Sequence, residues 1–142
     1  MRSVQEHLDR CEVPARAVMG GRLPGHVDVQ PHFDEHPLVS IIIPNKDSID
    51  LLERCVESIA DHTDWPNYEV VVVENNSEDQ ATFKAYKTMA ERFGFLRVVE
   101  QESDGTFNFS RSVNLGVREA KGDYVLALNN DTEVLVDDWT SE

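Results

Sequence analysis

Apolar runs and amphipathic stretches alternate regularly from residue 38 to residue 128. Leu38–Ile43 (LVSIII) is a short β-branched run bounded by Pro37 and Pro44, the pattern of a strand covered on both faces. Residues 49–61 then place Ile49, Leu52, Val56 and Ile59 at helical spacing, with Cys55 beside them. Glu69–Val73 (EVVVV) predicts a second buried strand, and 79–93 a helix with Phe83, Tyr86 and Ala90 on one face. Leu96–Val99 predicts a third strand, and 110–120 a helix aligning Val113, Val117 and Ala120. Gly122 ends that helix, and Tyr124–Leu128 (YVLAL) predicts a fourth buried strand. This alternation calls for an α/β fold: an open, mostly parallel, doubly wound sheet with helices on both faces.

Residues 1–37 break the pattern. Val4, Leu8 and Cys11 suggest a short amphipathic helix over 3–11. Beyond it Pro14, Gly20, Gly21, Pro24, Gly25, Pro31 and Pro37 are scattered among His26, His32 and His36, which reads as a linker or lead-in arm. The histidines lack partner cysteines and any i, i+4 pairing on a helix, so a solvated loop is the expectation. The expected division is therefore a lead-in arm at 1–37 and a ligand-binding domain at 38–142.

Charge narrows the choice of partner. Acidic residues outnumber basic ones 27 to 13, a formal charge of −14, which argues against nucleic acid. A phosphorylated ligand would be repelled as well, unless a divalent cation bridged carboxylate and phosphate. Cys11 and Cys55 form no ligand pattern and read as small buried or half-buried residues. No stretch approaches the roughly 20 apolar residues of a membrane span, and the N-terminus lacks a signal-peptide pattern. The expected compartment is the cytoplasm, at the inner face of the membrane for a larger parent protein.

Open parallel sheets bind ligands at the carboxyl ends of their strands. Four loops of this chain put polar side chains there: Pro44–Asp47, Glu74–Asp79, Glu100 through Asp104-Gly105 to Asn108, and Asn129–Thr132. Each alone is ordinary turn and cap chemistry; the joint arrangement points to a site. Asp131, on the loop after the fourth strand, can supply one carboxylate to Mg²⁺ or Mn²⁺, with water and two phosphate oxygens completing the shell. An Asn-rich β-turn is compatible with that role.

At this point the chain resembles the family 2 glycosyltransferases of GT-A fold, inverting enzymes that use a nucleotide-diphospho-sugar. The resemblance covers 38–139 and rests on LVSIIIPNKD, EVVVVENNSED, FNFSRSVNLG and AKGDYVLALNNDTEV, closing on Trp139. LNNDTEV with FNFS is similar to the rhamnosyltransferase-like branch that builds bacterial surface polysaccharides. The resemblance implies that Pro44, Asn45, Asp47, Glu74, Asn75, Asn114, Asn129 and Asn130 bind the nucleotide. It implies that Asp131 contacts a divalent cation, Mg²⁺ or Mn²⁺. Asn129 stands where the family's DXD motif has its first aspartate, and Glu74 where the family has a base-contacting aspartate. Val113 replaces the arginine of the family's RNxG-like segment, leaving Arg111 or Lys46 to meet the diphosphate. The catalytic base and glycan-acceptor site are expected beyond Glu142, so the chain by itself is expected to hold the donor without transferring sugar. A non-catalytic nucleotide-binding or interaction module is the alternative. PNKDSID lacks the glycines of a nucleotidyltransferase phosphate loop, and no GxGxxG follows the first strand. Apolar surface at the sheet's edge is expected to promote self-association.

Overall fold

The computed structural model describes residues 2–20, 25–32, 35–102, 108–137 and 139. The expected loop through Asp104 and Gly105, and Gly21 and Pro24 of the arm, lie outside the described residues. The elements are α1 (Arg2–Arg10), β1 (Ala15–Met19), β2 (Val27–Pro31), β3 (Val39–Asn45), α2 (Ile49–His62), β4 (Tyr68–Glu74), α3 (Gln80–Arg92), β5 (Leu96–Glu100), α4 (Phe109–Glu119) and β6 (Tyr124–Ala127).

Four strands form one parallel sheet in the order β5-β4-β3-β6. The connections β3–α2–β4 and β4–α3–β5 run one way from β3, and β5–α4–β6 carries the chain back to its other side. That reversal creates a switch point between β3 and β6. Burial follows the twofold alternation of the strands. Ile41, Ile43, Val70, Val72 and Leu96 face Leu52, Cys55, Val56 and Ile59 of α2 and Tyr86 and Met89 of α3. Ile42, Val71 and Val73 face the opposite way, against Leu115 and Ala120 beside α4.

Three helix and strand assignments need correction. On α3 the buried positions are Thr82, Tyr86 and Met89, whereas Phe83 and Ala90 face solvent. The helix is turned by about one residue, because Asp79 caps its start and Tyr86 is drawn to the polar end of β4. On α4 the buried residues are Ser112 and Gly116, and Val117 is exposed. Small residues win there because α4 lies so close to the sheet that a Cβ on Gly116 would collide with Ile42 Cγ2. The expected fourth buried strand is mostly exposed: Tyr124 is 61% and Val125 43% accessible. Among the described residues β6 pairs only with β3, so it lies at the sheet's edge.

The arm also carries more structure than a linker. β1 and β2 pair as an antiparallel hairpin. Gln5 of α1 ties onto its edge, accepting from Ala17 N at 2.8 Å and donating to Ala15 O at 3.2 Å. Cys11 sits just past α1 and is exposed, contrary to expectation, while Cys55 is buried as expected.

At the amino-terminal edge of the sheet, Glu69 accepts from Ser40 Oγ (2.7 Å), Arg97 Nε (3.1 Å) and Lys121 N (2.7 Å). Burial alone would raise its pKa, but these three donors outweigh burial and lower it. Gly122 N donates to Ser40 Oγ at 2.9 Å. A Cβ on Gly122 would lie 2.6 Å from Leu38 O, so only glycine fits there.

Candidate functional site

The opposite, carboxyl-terminal ends of β3 and β4 hold buried polar side chains, and these are linked to one another. Asn130 Nδ2 donates to Asn45 Oδ1 (2.7 Å), and Asn45 Nδ2 donates to Tyr86 Oη (2.8 Å). Tyr86 in turn donates to Glu74 Oε2 (2.6 Å), which also accepts from Ser77 Oγ (2.6 Å). The other carboxylate oxygen, Oε1, accepts from Ser77 N. Burial raises the pKa of Tyr86; the Asn45 hydrogen bond opposes that rise and Glu74 adds to it. The phenol therefore stays protonated and serves as a donor. This relay joins the loops after β3, β4 and β6 into one piece.

A second cluster occupies the α4 side of the same rim. Asn75 Nδ2 donates to Ser112 Oγ (3.2 Å), Ser112 donates to Gln101 Oε1 (2.8 Å), and Gln101 Nε2 returns to Asn75 Oδ1 (3.3 Å). The closed ring of three buried side chains fixes the β4 and β5 ends against α4. Each polar group is satisfied, as burial demands.

Above these two layers opens a cleft of about 310 Å³ at the β3/β6 switch point. Pro44, Lys46 and Ser48 line it from the β3–α2 turn, Asn129, Asn130 and Asp131 from the loop after β6, and Phe109 from the start of α4. Glu74 and Asp131 thus belong to the same end of the sheet, linked through Asn45 and Asn130. The convergence expected from sequence is present.

The expected site residues divide into three groups. Pro44, Asn129, Asn130 and Asp131 line the cleft. Asn45, Glu74 and Asn75 lie in the layer beneath it; Glu74 is only 4% exposed and both its oxygens are engaged. Asp47 and Asn114 stand apart. Asp47, at φ 53°, turns its carboxylate to the next loop, accepting from Asp79 N (3.1 Å) and Glu78 N (2.8 Å). Those backbone donors, that of Asp79 foremost, lower its pKa. Asn114 is exposed on α4 and lines no part of the cleft. Of the two candidate cations, Lys46 lines the cleft, 3.7 Å from Glu78 Oε1. Arg111 lines a separate depression with Glu100, Glu102 and Arg118.

Sequence reasoning missed Phe109, Ser48 and Tyr86. Phe109 carried a faint signal, an aromatic where the polar run gives way to α4. Tyr86 carried none, since at helical spacing it reads as core.

Among the described residues no three His, Cys, Asp or Glu side chains converge to cage a metal. The cleft's donor set still suits a hard divalent cation. Asn129, Asn130 and Asp131 offer oxygen ligands on an open wall, and Mg²⁺-like ions bind through one or two carboxylates plus phosphate and water. No described helix is long and apolar enough to cross a membrane.

A parallel α/β sheet with a polar cleft at its switch point is the arrangement in which open α/β folds bind ligands. The sequence profile described as Glycosyl transferase family 2 matches residues 40–141, and the chain belongs to that family. It is similar to the O-antigen biosynthesis protein RfbC of Myxococcus xanthus, 33% identical over 144 residues, covering 100% of this chain and 11% of RfbC. Similarity to the uncharacterized protein y4gI of Sinorhizobium fredii is 33% over 141 residues, covering 99% of this chain and 15% of that protein. This chain therefore spans only a small part of these curated relatives. Among solved structures, it resembles the mannosyltransferase PcManGT of Pyrobaculum calidifontis in complex with GDP-Man and Mn²⁺. The TM-score is 0.65 at 27% identity, over 76% of this chain and 31% of that one. It also resembles S. aureus TarS 1-349 in complex with UDP-GlcNAc, with TM-score 0.58 at 27% identity, over 72% of this chain and 28% of that one.

Proposed function

We propose that this chain is the donor-binding part of an inverting glycosyltransferase that transfers a sugar from a nucleotide-diphospho-sugar to a glycan acceptor. The single observation that carries this reading is the cleft at the switch point, walled by Lys46 on one side and Asn129–Asp131 on the other. Similarity to RfbC and the LNNDTEV and FNFS wording support a place in the rhamnosyltransferase-like branch of surface-polysaccharide assembly.

Each wall has its task. Pro44 and Ser48 shape the floor next to the nucleotide, and Lys46 offers its ammonium to the diphosphate. Asn129 and Asn130 present amides to ribose or to metal-bound water, and Asp131 holds the divalent cation, Mg²⁺ or Mn²⁺, a reading supported by the complex of PcManGT with GDP-Man and Mn²⁺. When bound, that cation neutralises charge gathering on the diphosphate leaving group. Asn45, Glu74 and Asn75 act one layer down, keeping the cleft's edges in register.

Calorimetric titration with UDP, dTDP and GDP, with and without Mn²⁺, tests the reading, and binding of at least one that strengthens in Mn²⁺ is expected. No binding under either condition would rule it out. The non-catalytic alternative draws on one feature: Asn129 leaves a single carboxylate on the cleft wall. A larger parent protein that binds donor in Mn²⁺ yet neither transfers nor hydrolyses it would favour that alternative. Self-association is also proposed, through exposed Tyr124, Val125, Leu135 and Val136. A monomeric elution volume in gel filtration at high protein concentration would count against it.

A further inference from the structure

The loop that carries Asp131 is held by α2. Asn129 O accepts from Cys55 Sγ at 3.7 Å and from Thr132 N at 3.3 Å, which closes the turn around Asp131. Five residues on, buried Val134 donates its N–H to Ser58 Oγ at 2.9 Å. That hydroxyl gives its own proton to Cys55 O at 2.8 Å, so its donor is used within the helix and its acceptor faces the loop. Asn130 is fixed separately to Asn45. Every anchor falls at 129, 130 or 134, and Asp131 is left exposed at the apex between them.

Ser58 is an odd residue for its place. It lies on the buried face of α2 among Leu52, Cys55, Val56 and Ile59, where a larger apolar side chain would bury more surface. A serine there is explained by what it does for Val134 N, which would otherwise be a buried donor without a partner. We propose that Ser58, assisted by Cys55, is a positioning residue: it sets the Asn129–Val134 loop so that Asp131 meets the cation and diphosphate at the switch-point cleft. This rests on the donor-binding reading above. Ser58 touches no ligand itself, and its effect runs through the loop backbone.

The test compares nucleotide affinity in Mn²⁺ and in EDTA for the wild-type chain, Ser58→Ala and Ser58→Thr, using UDP, dTDP and GDP as probes. Ser58→Ala is expected to reduce the Mn²⁺-dependent gain in affinity about five- to tenfold while affinity in EDTA stays within about twofold. Ser58→Thr keeps the hydroxyl and is expected to restore most of the gain. Two outcomes overturn the proposal: Ser58→Ala keeping the full gain, or Ser58→Ala losing affinity equally in Mn²⁺ and EDTA. Binding without a Mn²⁺-dependent gain in the wild type would leave the loop no cation to position and overturn the proposal too, whereas no binding in either condition would remove the donor-binding reading itself. Should Ser58→Ala fail to fold, Cys55→Ala removes the weaker contact at Asn129 along with the packing of one buried sulfur. It is expected to cut the gain about two- to threefold, again with affinity in EDTA preserved; an unchanged gain would count against the proposal.

Discussion

The two ends of the same sheet use carboxylates in opposite ways, one part-buried and one buried. At the amino-terminal edge Glu69 meets a cation, Arg97, together with Ser40 and the Lys121 N–H, and Gly122 is packed against this group. At the carboxyl-terminal rim Glu74 is met by Tyr86 and Ser77, with no positive side chain on it among the described residues. The first arrangement is a closed ion pair that ties α4's end to three strands. The second is a neutral-donor relay that ends at Asn130, on the wall of a cleft. Charge neutralised inside the protein serves stability, whereas polar groups aligned toward an opening leave the outer residues available to a ligand. The same strands therefore carry a structural end and a candidate ligand-binding end.

Substitutions can break this contrast, and the largest effect is expected at the structural end. Gly122→Ala forces a Cβ against backbone that cannot yield, and a loss of about 1–3 kcal/mol in denaturant unfolding is expected. Tyr86→Phe should come next, because it strands Asn45 Nδ2 and takes one donor from Glu74; a smaller cost of about 1–2 kcal/mol is expected by the same measurement. It should also weaken nucleotide binding, which Gly122→Ala should not do at temperatures where both variants are folded. If Tyr86→Phe left both properties untouched, the relay would have no role.

A smaller effect, and a pH signature, belongs to Glu69. Its folded pKa is lowered from an ordinary 4.5, so its stabilisation is present above that value and fades as pH falls through the folded pKa. Acid titration of stability should thus show a steeper fall below about pH 4.5 in the wild type than in Glu69→Gln, which has no carboxylate to protonate. Equal slopes would mean that the Glu69 carboxylate gains nothing on folding. Asp131→Ala should change stability least, by under about 0.5 kcal/mol, since the side chain is exposed. Its effect should fall on ligand: the Mn²⁺-dependent part of nucleotide binding should disappear, and unchanged titrations in Mn²⁺ would strip Asp131 of its role.

Much of this contrast was legible in the order of residues. The runs LVSIII and EVVVV, separated by helical spacing, require buried parallel strands, and the polar residues that follow each run must collect at one rim. Harder to read were the faces of α3 and α4. Val113 and Val117 look like a buried stripe, yet Ser112 and Gly116 are buried instead, because close approach to Ile42 excludes larger side chains. The hairpin in the arm escaped notice for a related reason. Its strands are five residues each, framed by glycines and prolines, and its edge is completed by a side chain, Gln5, from a separate helix.

Local sequence alone determined the parallel sheet, the rim where polar loops meet, and the family to which the chain belongs. Periodicity and turn chemistry act over a few residues and survive without knowledge of neighbours. Only the tertiary structure decided which of the rim's polar residues face the cleft and which hold it up. Glu74 and Asp131 are both acidic residues that follow an apolar run, and nothing local to either tells them apart. Tyr86, from a helix 12 residues further along the chain, draws Glu74 inward, and Ser58, 76 residues from Val134, helps hold the loop that leaves Asp131 outward.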